Sequence, residues 1–283
     1  MGEPTSYRVE ALVNEVDQLL TLPAIYVQIK SILDSPDSSI IEIAKAISMD
    51  VALTAKLLRI VNSPIYAQSR PVETVTRAVS MLGINQIHDL CLACCLADTF
   101  AHTHPSLMDV ERFWRESLQR AISARDLARK CGILNGERLF VLGLLSDIGH
   151  MVMFMRIPEM AAKLFLLKQS STEPIHLIER RHLDFDFAQV SGALLRRWRL
   201  PSGIYLPIEQ HSAPRAGQSH AIESALLHLV SGAIQAHDTG TEVQGMTTSE
   251  AWEIVGLPPE DIIESLAASL DSANAMRPIF HGS

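Results

Sequence analysis

Aromatic side chains are scarce in this 283-residue sequence, at 5%, and no stretch alternates apolar with polar residues. A β-sandwich or barrel draws on both features, so neither is expected. Cysteine is scarce too. Cys91, Cys94, Cys95 and Cys131 lie in stretches of helical apolar spacing, without the repeated CxxC pairs of a zinc ribbon or the spread of a disulfide framework. In CLACC two of the thiols are adjacent and point apart on a helix, which argues against a shared metal and for reduced core cysteines. Positive charge is also short. Lys and Arg number 24 against 32 Asp and Glu, a net charge of -8, so a phosphate backbone is repelled unless a local basic face overcomes the field. The opening MGEPTSYRVEAL lacks a basic segment followed by an apolar run, which gives a cytoplasmic expectation.

What is present is helical pattern, nearly from end to end. The sequence is 47% hydrophobic and 20% charged, a globular balance. A chain of this length buries roughly three quarters of its unfolded surface and needs no staple. Ser39 and Glu42 have capping-box spacing ahead of IIEIAKAIS. Asp50 is placed to cap VALTAKLLRIVN, which stops at Asn62-Ser63-Pro64 because proline disfavours a helical residue before it. Thr74 starts VTRAVSML, Gly83 closes it, and Asn85 is read as the start of the next helix. AHTHPS is the best internal boundary, dividing the chain into lobes 1–105 and 106–283.

Beyond the boundary, Ser106 and Asp109 again have capping-box spacing and open a long helix ending at Gly132. Asn135 is read as the cap of GERLFVLGLLSDIG, Pro158 as the start of another helix, and Asp186 as the cap of FAQVSGALLRRW. The run from Leu139 to Met155 approaches the length of a membrane span. Asp147 and His150 lie inside it, however, and a charged Asp there costs about 2.5 to 3.5 kcal/mol, so a buried core segment is expected. The prediction is an all-α protein: a two-lobed helical bundle.

The ordered motifs go further than periodicity. Leu22-Pro23 precedes IAKAISMDVALTAKLLRIVNSPIY, with Asp50, Asn62, Ser63 and Tyr66, and then AVSMLG. FWRES, GLLSDIGH, LLRRWRLP and Gln210-His211 follow in the second lobe. Together these resemble the HD-related output domain, HDOD, a bacterial signalling module whose fold is shared with the HD phosphohydrolases. That resemblance implies a site in which imidazoles and carboxylates converge from several helices on one or two metal ions, lowering the pKa of a bound water. It also marks the positions where this chain departs. Glu116 stands for the first His, Ser146 and Asp147 for the His-Asp pair, and Phe187 for a later His. Gln210 and His211 stand for a tandem His, and Ser231 for a late Asp.

Too few ligands remain for an active centre, so the resemblance implies no enzyme, no metal and no cofactor. It implies partners among two-component or cyclic-dinucleotide signalling proteins, met through the groove between lobes or an exposed helix face. Asp147 is expected to be a hydrogen-bonded remnant tying helices together. No receiver domain is visible, so a phosphorylation signal is expected to arrive through a partner.

Rival readings attach to some of these residues. Glu116, Asp147, Glu179 and His211, with His182 one turn after Glu179, could form a degenerate metal or anion pocket. Separate caps and salt bridges, such as Glu116 with Arg120, are preferred. Trp114 and Trp198 are expected in the core, and Arg196, Arg197 and Arg199 on a solvated face. The two short helices around Ser48-Met49-Asp50, with Lys56, Arg59, Arg70 and Arg77 nearby, suggest a helix-turn-helix. Their apolar faces look committed to packing, so DNA binding is not favoured.

Overall fold

The structure, a computed structural model, describes residues 7–17, 23–33, 35, 39–66, 68, 70–101, 105, 107–134 and 136–280. Leu22, Ser106 and Asn135, and most of the AHTHPS boundary, lie outside the described residues. Among the described residues every regular element is helical.

The segment expected as the first lobe contains α1 (Val9–Asp17), α2 (Ala24–Leu33), α3 (Ile40–Ser48), α4 (Val51–Val61), a short 3-10 turn at Pro64–Tyr66, α5 (Val75–Leu82) and α6 (Ile84–Ala101), although α1 packs on helices of the second. Local chemistry sets most of these boundaries. Ser39 and Glu42 form the reciprocal capping box at α3, Asp50 accepts from the Leu53 amide at α4, and Thr74 accepts from the Arg77 amide at α5. The helix read as starting at Asn85 begins one residue earlier, at Ile84. Gly83 takes a positive φ of 91° between α5 and α6, so the chain re-enters a helix at once without a side-chain cap.

The second lobe runs α7 (Val110–Lys130), α8 (Gly136–Leu145), α9 (Ile148–Arg156), α10 (Pro158–Gln169), α11 (Ile175–Leu183) and α12 (Phe187–Arg197). It continues through α13 (Ser202–Gln210), α14 (Ala221–Thr239), a 3-10 turn at Val243–Gly245, α15 (Ser249–Val255) and α16 (Pro259–Phe280). Asp109, through its own carboxylate, caps α7, and Asp186 forms a capping box with Gln189 at α12. The apolar run holding Asp147 is not one rod: α8 and α9 meet at Ser146-Asp147. The stretch 136–156 is long and apolar enough to cross a membrane, but most of it is buried in the protein.

One hydrophobic core runs through both lobes. Helix α6 is its spine. From Leu90 to Ala97 every side chain is buried, and α6 packs against α2, α4 and α5 on one side and α8 on the other. The N-terminal α1 packs on α9 and α12, and α16 touches α4 and α6 as well as α7 and α14. Trp114 and Trp198 are core residues. Arg196, Arg197 and Arg199 are exposed, and Arg196 pairs with Glu209.

Two glycines explain the GLLSDIGH motif. A Cβ on Gly143 would lie 2.6 Å from the Ala121 Cα, and one on Gly149 would lie 2.0 Å from the Phe187 carbonyl oxygen. Any larger residue would push α8 off α7 or α9 off α12. The motif therefore fixes the close approach of the helices that carry the candidate site.

Candidate functional site

A cleft of about 790 Å³ opens among α7, α9, α10, α12 and α14. Glu116, Asp147, Phe187 and Ser231, all anticipated from sequence, line it together with Arg120 and His150. The spacing on α7 places Glu116 and Arg120 on one face, one turn apart. They do not pair. Glu116 binds Arg112, one turn earlier, which also reaches Asp238 on α14. Burial holds the Glu116 carboxyl above the usual carboxylate range against the pull of Arg112.

Arg120 instead turns inward and is only 3% exposed. Its Nη2 donates to Asp147 Oδ2 at 2.7 Å and its Nε donates to Ser231 Oγ at 2.8 Å. Asp147 thus ties α7 to the α8–α9 junction. Neighbouring contacts complete the junction. Ser146 Oγ donates to the Gly143 carbonyl at 3.0 Å, and Ser191 Oγ accepts from the Gly149 amide at 2.8 Å.

Glu179, fully buried on α11, does not line the cleft but holds His150, which does. Its Oε1 accepts from His150 Nε2 at 2.9 Å, and its Oε2 accepts from the Phe187 amide at 2.9 Å. Burial pushes the His150 imidazole down, but the facing Glu179 carboxylate outweighs it, and the ring's pKa is raised. The Phe187 ring stacks on His150, with centroids 4.1 Å apart. His182 has no place here. It is exposed on the far side of α11, with Nδ1 donating to the Ile178 carbonyl, so the Glu179–His182 pocket is replaced by Glu179–His150.

Behind the cleft lies a second layer of histidines. His211 Nδ1 donates to the Ile208 carbonyl at 2.6 Å, leaving Nε2 buried and without a hydrogen-bond partner. His228 Nδ1 donates to the His211 carbonyl, and its Nε2 accepts from the Thr248 amide at 3.1 Å. This neutral tautomer suits a ring whose pKa burial pushes down to about 3; burial likewise lowers His176 to about 4. Gln210 lies beside them with a buried, unpartnered Oε1.

The first-lobe motif residues lie elsewhere and are structural. Asn62 clamps Val72 by accepting from its amide at 2.7 Å and donating to its carbonyl at 2.9 Å. Ser63 is buried. Tyr66 donates to Glu137 on α8, which also accepts from Arg125 Nε at 2.8 Å, and the Arg125 guanidinium lies 4.6 Å from the Tyr66 ring centroid. The NSPIY segment is thereby latched onto the second lobe.

The donor set does not fit a di-metal centre. Among the described residues no three His, Cys, Asp or Glu side chains converge as a metal cage. Two of the inherited positions, Asp147 and Ser231, are instead bridged by a guanidinium, which repels a cation. The sequence offers Arg120 only as a partner for Glu116 and His150 only as a polar residue in an apolar run; their pairing with Asp147 and Glu179 is not anticipated. A mid-helix Arg between Gln119 and Ala121 carries no local sign of burial, since its partners are 27 and 111 residues away.

Known proteins share this fold. An uncharacterized protein of Treponema pallidum (strain Nichols) is 25% identical over 213 residues, 74% of this chain and 41% of that protein. The chain therefore spans less than half of that relative's length. A crystal structure from Shewanella amazonensis SB2B, which carries a phosphohydrolase name, matches with a TM-score of 0.74 at 21% identity over 95% of this chain and 98% of the other. An HDOD domain protein with unknown function from Geobacter sulfurreducens matches with a TM-score of 0.71 at 22% identity, over 95% and 97%. A Marinobacter aquaeolei VT8 protein with a signal-transduction name matches with a TM-score of 0.69 at 21% identity, over 100% of this chain and 63% of the other. At these identities the structures establish the fold. The HDOD domain model matches residues 19–214, and with the first-lobe latch and the altered GLLSDIGH site both inside that span, the chain belongs to the HDOD domain family.

Proposed function

We propose that this chain is a non-catalytic signalling module that works by binding other proteins, those of two-component or cyclic-dinucleotide signalling. One observation carries the reading: the Arg120 guanidinium joins Asp147 to Ser231, two positions that a hydrolytic relative uses for metal. A fixed cation there disfavours a second one by direct repulsion in a poorly solvated setting. Two groups that could otherwise handle a proton are already engaged. His150 is committed to Glu179, and Ser146 to a backbone carbonyl.

Protein binding is supported by the first-lobe surface. Val27 on α2, Ile41 on α3, Met49 at the α3 C-cap and Val51 at the start of α4 are 55 to 82% exposed, apolar side chains of the kind that a protein partner covers. The same observation weighs against DNA at the α3–α4 corner, where Lys56 is already paired with Asp98.

Two measurements test this. Purified protein given Mn²⁺, Fe²⁺ or Mg²⁺ is expected to hold well under one metal per chain and to hydrolyse neither a cyclic dinucleotide nor a p-nitrophenyl phosphodiester above the Asp147→Ala background. Stoichiometric metal with turnover that Asp147→Ala abolishes would overturn the reading. A signalling partner captured from the native cell is expected to be lost with Ile41→Glu and Val51→Glu together.

A further inference from the structure

We propose that the cleft binds an uncharged planar heterocycle presenting a hydrogen-bond donor beside an acceptor, as a nucleobase edge does, to the Arg120–Asp147 pair. Arg120 spends Nε on Ser231 and Nη2 on Asp147 Oδ2, while its Nη1 is buried with no hydrogen-bond partner. Asp147 is the mirror case: Oδ2 is used and Oδ1 is buried without a partner. Unpaired buried donors and acceptors are rare because each forfeits its hydration, and the same ion pair here presents one of each. Both residues line the cleft. Neither atom has accessible surface of its own, so a ligand that accepts from Nη1 and donates to Oδ1 satisfies both by displacing the side chains that cover them from the cleft.

The rest of the cleft selects the body and the charge of that ligand. Its walls include Phe113, Phe154, Phe165, Phe187, Ile175 and Ile234, apolar and largely aromatic surfaces suited to a flat ring. Its volume falls within the range of small-molecule sites. The cations Arg112, Arg120 and Lys168 face the carboxylates Asp109, Glu116, Asp147 and Asp238. Arg112 is already paired with both Glu116 and Asp238. No surplus of positive charge awaits a phosphate, so the complementary ligand is neutral.

The inference rests on the reading that a guanidinium rather than a metal holds this site, which metal analysis tests separately. Its own test is calorimetric titration of the full chain with adenosine, guanosine, cytidine and uridine. The controls are N6,N6-dimethyladenosine and 3-methyluridine, which lack the edge donor, and the 5′-monophosphates.

At least one nucleoside is expected to bind, its donor-blocked form about tenfold more weakly, one hydrogen bond's worth, and its 5′-monophosphate no more tightly. Asp147→Asn keeps an oxygen for Arg120 but turns the free acceptor into a donor, and is expected to weaken binding about tenfold. Ala162→Trp leaves the Arg120 pair untouched and is expected to abolish binding by filling the cleft. Circular dichroism and Tm confirm that both variants fold. Failure of all four nucleosides, equal binding of the blocked forms, tighter binding of a monophosphate, or unchanged binding by either folded variant overturns the proposal.

Discussion

Two buried arginine–carboxylate pairs on α7 invite comparison. At the joint between lobes, Arg125 gives Nε to Glu137 and Nη1 to the Ile65 carbonyl at 3.0 Å, and Tyr66 donates to the other oxygen of Glu137. None of these groups is left with a buried unpartnered atom. At the cleft, five residues earlier on the same helix, Arg120 and Asp147 each keep one. The difference separates two uses of the same chemistry. A saturated network specifies one arrangement of the lobes, whereas an unsaturated one retains capacity for something from outside. Burial and charge alone would not have told them apart; the count of partners does.

That contrast can be broken at four points. Glu137→Ala removes the carboxylate that Tyr66 and Arg125 share and leaves the largely buried Arg125 with only the exposed Asp126, 3.5 Å away, as an ion-pair partner. Chemical denaturation is expected to show a loss of about 4 kcal/mol. Gly149→Ala drives a methyl into the Phe187 carbonyl and separates α9 from α12. The expected cost is about 3 kcal/mol, with the Arg120–Asp147 geometry disturbed and the lobe joint intact.

Acidification acts behind the cleft. His228 titrates near 3 when folded and near its ordinary 6.5 when unfolded, so between those values the unfolded chain holds the extra proton. Stability is full above pH 6.5 and falls as pH drops towards 3. Between pH 7.5 and 5 the loss from this ring is about 2 kcal/mol, and His228→Gln is expected to flatten the pH dependence of stability by that amount. His150 works in the opposite sense, since its raised pKa contributes stability that is lost on going alkaline. The smallest effect is at the cleft pair. Asp147→Asn keeps a hydrogen bond to Arg120 but removes the charge that balances the buried guanidinium, and is expected to cost about 1.5 kcal/mol in denaturant, less than the joint.

The helices were readable because their signals are local. Ser39 with Glu42, Asp50, Thr74 and Asp186 cap the elements they precede within three residues of sequence. The α5–α6 boundary was misplaced because the backbone conformation of Gly83, and no capping side chain, sets it. Motif order found Asp147, Ser231 and Phe187, and the structure brings them to one cleft. It did not find their organiser. Rotating Arg120 inward depends on Asp147 and Ser231 arriving from distant helices, and Glu116 is then taken by Arg112. The three-residue spacing of Glu179 and His182 suggests a pair that the structure does not form. The histidine that meets Glu179 comes from α9, across the α9–α11 gap, where spacing carries no information.

The spine helix α6 has a chemical corollary. Cys94 and Cys95 are buried among apolar neighbours, and burial pushes both thiols up to about 12. Almost no thiolate exists at neutral pH, and oxidants and alkylating agents act on thiolate. These sulfurs should therefore react only when the two lobes part around them, so the rate at which a maleimide caps them becomes a clock for opening of the whole molecule.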